Sequence, residues 1–325
     1  MRLSGLLLLF VAGTALHAQN DPPDTLHVST QLVLLDATVE VKKTGSRIPG
    51  LALADFILTE DHHPQTLTYL STDELPLSIT LLFDVTESVM PVLHELANGA
   101  NDVLLHLKPT DEVAVLTISS HTYLLQPFTT DRSLAFAAIR RAADTRQTND
   151  PTFIYNDMVH VVRETALSTI PNSRRVQLWL TDGTANREED FLSPFGGRNG
   201  PKLPNKQDAT DALLRSGQVV SELIEKSTIT TRSMGQHDRT GDIQAFADLT
   251  GGPVVESSAP QVTARLSALI DQIRQRYTVG YKPSDPKPAG TLCHVELKLS
   301  DSFFTRHPEL RPKDLTVRTR TTYYR

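Results

Sequence analysis

The sequence predicts an α/β protein, doubly wound, with helices on both faces of a mostly parallel sheet and β segments at the two ends of the chain. Three observations lead there. Between residues 77 and 281, apolar runs of strand length alternate with segments of helical period. Outside that stretch, both ends alternate apolar and polar residues with a period of two, the mark of half-buried strands. The chain has 325 residues, is 39% hydrophobic and 22% charged, and can therefore bury a sizeable core.

From the N-terminus, Arg2 precedes the apolar run Leu6 to Ala12, and small and polar residues follow to Ala18. This reads as a signal peptide over 1–18, cleaved after Ala18, and too short for an ordinary membrane span. The mature chain is expected to be exported, periplasmic or extracellular, with no integral membrane segment. Next, Val33, Leu35, Ala37, Val39 and Val41 alternate with polar neighbours, and Phe56 to Thr59 and Leu67 to Leu70 add strands between turns at Gly45, Pro49-Gly50 and Asp61 to Pro64. Cys293 to Leu299 and Leu315 to Thr319 have the same character. Neither end is long enough to close a sandwich alone. Residues 24–73 and 284–325 are therefore expected to pair into one β-sandwich-like domain, with the α/β domain, 74–283, inserted between them.

Inside the insert, Leu77 to Phe83 reads as a buried strand, followed by a helix carrying Leu93, Leu96, Ala100, Val103 and Leu107 on one face. Val113 to Ile118 and Tyr123 to Gln126 read as an edge hairpin. Helices are predicted over 131–143, 155–168, 208–226, 241–249 and 260–276. Strands are predicted at Val176 to Leu180, Thr228 to Ser233, Val254 to Glu256 and Tyr277 to Tyr281.

In such a sheet, ligands bind beyond the carboxyl ends of the strands. The first strand delivers Asp84-Val85-Thr86-Glu87-Ser88 into a strand-to-helix turn, so a carboxylate and two hydroxyls at i, i+2 and i+4 can converge on one hard cation. Another strand ends Leu180-Thr181-Asp182-Gly183 and brings a second carboxylate, and Thr152 adds a third hydroxyl ahead of a helix. Taken singly, Asp84 and Asp182 read equally well as caps of the helices that follow.

This set resembles the metal-ion-dependent adhesion site of von Willebrand factor type A (vWA) domains, a Rossmann-like fold, whose pattern is Asp-x-Ser-x-Ser, then Thr, then Asp commonly followed by Gly. The likeness continues in Ile48-Pro49-Gly50-Leu51, Asp55-Phe56, Glu60-Asp61, Gln65, Leu249-Thr250-Gly251-Gly252 and Arg276 to Tyr281, which are similar to the exported VWFA-related family abundant in acidobacteria. It covers nearly the whole mature chain. The resemblance implies that Asp84, Thr86, Ser88, Thr152 and Asp182 hold Mg²⁺ or Mn²⁺, Ca²⁺ being less suited, and that an Asp or Glu of a protein partner completes the coordination. Thr86 departs from the usual Ser by a methyl group, and Asp150-Pro151-Thr152 stands where many relatives have Gly-Gly-Thr. Both departures predict weaker binding.

The stretch from Gly183 to Asp208 leaves the strand that carries Asp182. Its Phe191, Phe195 and Arg198 are candidates for partner contact, against the alternative of a floppy insertion. A net charge of −6 without a basic run argues against nucleic acid. The lone Cys293 allows no intrachain disulfide. His94-Glu95 fails as a zinc-protease helix because Asn98 occupies the second His position. No phosphate loop, dinucleotide fingerprint or nucleophile elbow is present. The sequence thus favours a non-enzymatic adhesion module. A structural envelope module with a metal-free site is the alternative, and a metal-dependent hydrolase comes third.

Overall fold

In the computed structural model, which describes residues 32–72, 75–145, 152–186, 203–225, 236–238 and 240–325, six strands form the central sheet. Their order is Val254–Ser257 (β12), Val219–Glu225 (β10), Arg174–Thr181 (β8), Leu77–Asp84 (β5), Glu112–Ile118 (β6) and Thr122–Thr129 (β7). All neighbours are parallel except the β6/β7 edge pair. β5 is buried at every position, as a central strand covered on both faces requires.

Helices cover both faces. Met90–Asn98 (α1), Ala100–Leu105 (α2), Arg132–Ala143 (α3) and Val262–Arg274 (α7) enclose one core that includes Ile79, Leu81, Phe83, Leu93, Ile139 and Ile270. Ile154–Thr165 (α4), Lys206–Ser216 (α5) and Thr240–Thr250 (α6) enclose the other, around Leu82, Met158, Trp179, Leu213 and Phe246. The fold is the α/β, mostly parallel architecture expected.

The predicted single helix after β5 is interrupted at Gly99. A Cβ there would stand 2.2 Å from Thr263 Oγ1, so the bare backbone is what lets α7 approach so closely. The predicted helix 208–226 is also corrected. α5 stops at Gly217, whose φ of 70° is left-handed, and Val219–Glu225 becomes β10, between β8 and β12. The predicted strand Thr228 to Ser233 lies outside the described residues.

The two ends of the chain pair into two four-stranded sheets. One runs Leu315–Thr319 (β15), Val33–Val41 (β1), Tyr277–Tyr281 (β13), Leu67–Ser71 (β4). The other runs Thr322–Tyr324 (β16), Leu292–Leu299 (β14), Phe56–Glu60 (β2), His63–Gln65 (β3). β14 alternates exposed and buried along its whole length, and its inward residues Val295 and Leu297 share one core with Leu35, Ala37 and Val39 of β1. The short helix Asp301–Arg306 (α8) adds Phe303 to that core. β13, expected within 74–283, pairs with β1 and β4 instead. A small two-stranded sheet joins Thr184–Asn186 (β9) to Gln236–Asp238 (β11). No helix among the described residues is long and apolar enough to cross a membrane.

Candidate functional site

β5 and β8 are neighbours from which the chain winds in opposite directions, toward β6 and β7 on one side and β10 and β12 on the other. In sheets of this kind ligands bind at such a divergence, beyond the carboxyl ends of the strands. Phe83 pairs with Leu180, which sets Asp84 beside Thr181 and carries Asp182 two residues beyond the last pair.

Asp84 is fully buried. Its Oδ2 accepts a 2.9 Å hydrogen bond from Thr181 Oγ1, and its Oδ1 accepts one of 3.0 Å from the Thr86 amide. Thr86 Oγ1 lies 3.4 Å from Ser88 Oγ. Burial, and then the charge of Asp182, push the Asp84 carboxyl up to about 7, against the hydrogen bonds of Thr86 and Thr181 that favour its ionised form. The structure therefore brings Asp84, Thr86 and Ser88 together, with Asp182 close enough for its charge to be felt.

Thr152 is buried just ahead of α4, whose Ile154, Tyr155 and Met158 pack with Leu82 and Trp179 on one face of the sheet. Phe191, Phe195 and Arg198 lie outside the described residues. Thr181 was not among the expected site residues. Its hydroxyl both donates to Asp84 and accepts from the Gly183 amide at 2.9 Å, fixing the turn that carries Asp182. Its place between Leu180 and Asp182 was the available signal.

The donor chemistry fits a hard divalent cation. Every expected ligand offers oxygen, and the Asp84 carboxylate, whose ionisation is opposed by burial and then by the charge of Asp182, would be relieved by a nearby cation.

Among the described residues, one other group has metal-like spacing: Glu60, Asp61 and Cys293. It already holds a cation. The Lys287 ammonium bonds Asp61 Oδ2 and lies 3.4 Å from Glu60 Oε1 and 4.0 Å from Cys293 Sγ. Glu60 Oε2 also accepts from the Tyr281 and Tyr323 hydroxyls at 2.6 and 3.0 Å. This cluster locks β2 to β14 and β16.

No family model matches the chain, and no curated protein matches it. Solved structures similar to it include von Willebrand factor type A domains. One is the von Willebrand factor type A protein from Catenulispora acidiphila, at 9% identity and a TM-score of 0.46, over 83% of this chain and 70% of that one. Another is the vWF domain of the type V pili tip protein Mfa5 from Porphyromonas gingivalis, at 9% identity and 0.43, over 62% and 96%. A third is proximal thread matrix protein 1 from the mussel byssus, with a zinc-occupied MIDAS motif, at 12% identity and 0.45, over 67% and 50%. At these identities the likeness is one of fold.

Proposed function

We propose that this chain is an exported, non-enzymatic protein-binding module of the VWFA-related kind. In this reading Asp84, Thr86, Ser88, Thr152 and Asp182 hold Mg²⁺ or Mn²⁺, and an Asp or Glu of a partner supplies the remaining ligand. The observation that carries it is the fully buried Asp84 carboxylate, held at the switch point beside a second carboxylate that raises its pKa. Hydroxyl ligands bring no charge, so a divalent cation on two carboxylates is not over-neutralised and still attracts a third. When bound, the metal supplies that attraction, and Thr181 orients Asp84 toward it. In this reading Phe191, Phe195 and Arg198, which follow β9 in the sequence, also contact the partner. Deleting 192–206 is expected to weaken capture of the partner.

The test is a thermal-shift titration of the mature protein with Mg²⁺, Mn²⁺ and Ca²⁺, beside Asp84→Ala and Asp182→Asn. A ligand that binds only the folded state raises the Tm with concentration. The reading expects a saturable shift in the wild type that both variants lose. Folded variants that keep the shift would overturn it.

One observation favours the metal-free structural module instead: both Asp84 oxygens already accept hydrogen bonds inside the protein. A wild-type chain indifferent to all three metals, yet still able to capture a partner from an envelope extract in the presence of chelator, would establish that reading.

A further inference from the structure

We propose that a cavity at the base of the central sheet, where the sheet meets the terminal strands, binds an anionic oxygen group, a phosphate or a carboxylate. The cavity measures about 360 Å³, and its wall includes Asp36, Arg174, Arg175, Gly217, Thr278 and Arg320. It lies at the start of β8 and β10, the end of the sheet opposite Asp84.

Arg174 is buried and fully engaged. Its Nε and Nη2 bond the two Asp36 oxygens at 2.7 and 3.0 Å, and its Nη1 bonds the Ile273 carbonyl at 3.0 Å. Thr278 Oγ1 donates to Asp36 Oδ1 at 3.1 Å, so Asp36 is saturated by its own neighbours. Arg175 sends Nε to Ser168 Oγ at 2.7 Å.

Two other guanidiniums, Arg320 in the cavity wall and Arg276, which is not part of the wall but acts on its Asp36, are not satisfied in this way. Arg320 is half-buried and makes no hydrogen bond or ion pair among the described residues. Its Nη2 lies 3.8 Å from where a Cβ on Gly217 would stand, which places the head group against the cavity wall. Arg276, 1% exposed, donates Nη2 to the Gly251 carbonyl, while its Nε and Nη1 are buried with no hydrogen-bond partner.

The local charge is therefore uneven. Arg174, Arg276 and Arg320 all interact with Asp36, the one carboxylate that lines the cavity among its described residues. Glu40, which also acts on Arg276, turns its Oε1 to Gln272 Nε2. Burial, with the repulsion of Arg174 and Arg320, brings Arg276 down to about 10, and Arg174 holds Asp36 ionised in spite of its burial. Excess positive charge in a nearly dry setting is unfavourable until an anion meets it. Guanidinium forks match carboxylate and phosphate oxygens in geometry as well as charge.

The experiment is a thermal-shift titration of the mature protein with inorganic phosphate and, separately, acetate, each against chloride at matched ionic strength. Wild type is expected to show a saturable rise in Tm. Arg320→Gln should weaken the apparent affinity about ten-fold or more, the loss expected for one charge-assisted hydrogen bond. Arg320→Lys keeps the charge without the fork and should retain a weaker response, which separates loss of the ligand from loss of the fold. A shift with phosphate alone identifies a phosphate ligand, and one with acetate alone a carboxylate. No saturable rise over chloride, or equal rises in wild type and folded Arg320→Gln, would overturn the proposal.

Discussion

Thr181 Oγ1 donates to Asp84 Oδ2 at 2.9 Å and in turn accepts from the Gly183 amide, so a single hydroxyl ties the carboxylate of β5 to the turn that ends β8. Both side chains are buried. Thr181→Val keeps the shape and removes the donor. The variant is expected to lose about 1–3 kcal/mol of stability, the cost of leaving a buried polar group unsatisfied, and to bind divalent metal more weakly. Urea denaturation with and without Mg²⁺ measures both.

Glu222 offers a pH dependence of a different origin. It sits inside β10 opposite Trp179 and Val254, fully buried, with neither carboxylate oxygen hydrogen-bonded. Burial pushes its carboxyl up from 4.5 to about 8. Between those values the unfolded chain has released the proton and the folded chain keeps it, so stability falls as pH rises through the window and levels off above about 8. Each pH unit within it is worth at most about 1.4 kcal/mol. Glu222→Gln should flatten that slope and be more stable than wild type at pH 8. Urea melts from pH 5 to 9 would show it, and an unchanged slope in the variant would reject the account.

Arg274 and Asp111 form a buried ion pair of 2.5 Å between α7 and the turn before β6. Asp111 also accepts the amides of Leu77 at 2.9 Å and Lys108 at 2.7 Å, so one carboxylate anchors the starts of β5 and β6. Arg274→Met strands that charge and should cost about 3–5 kcal/mol. The double variant Arg274→Met with Asp111→Asn should recover part of the loss, as denaturation of the cycle would reveal.

Ending the chain at Pro283 removes β14, β15 and β16. β1 and β2 would each lose a partner, and the core around Leu35, Ala37 and Leu58 would open to water. The truncated chain is expected to lose the cooperative unfolding transition and near-ultraviolet ellipticity of the parent. A truncation as stable as the full chain would mean that the two ends do not depend on each other.

Much of this architecture is legible in local pattern. Val33 to Val41 alternates because Leu35, Ala37 and Val39 turn to one apolar core, and β5 is buried throughout because it has a core on each face. Asp84 and Asp182 stand out as carboxylates that end apolar runs. What escapes is information that local spacing does not carry. The apolar residues of Val219–Glu225 suit a helix as well as a strand, and only the left-handed Gly217 decides between them. Tyr277–Tyr281 is a short apolar run that would fit either sheet, and its partners, Leu34 and Leu70 among them, are remote in sequence. Thr181 is easily passed over despite its place beside Asp182, because a hydroxyl inside a strand reads as ordinary β-propensity. Arg276 and Arg320 are surface residues by type, and the burial of Arg276 and half-burial of Arg320 depend on packing that local sequence does not record.

The register of β5 with β8 has a mechanical reading. The Asp84 rim and the terminal strands lie at opposite ends of these two parallel strands, which pair continuously from Leu77 with Arg174 to Phe83 with Leu180. A tug applied at the rim and resisted by the terminal sheets runs lengthwise along them. It loads their hydrogen bonds together, in shear, instead of peeling them one after another. A contact made at Asp84 would thus be loaded along the strand axis and not across it.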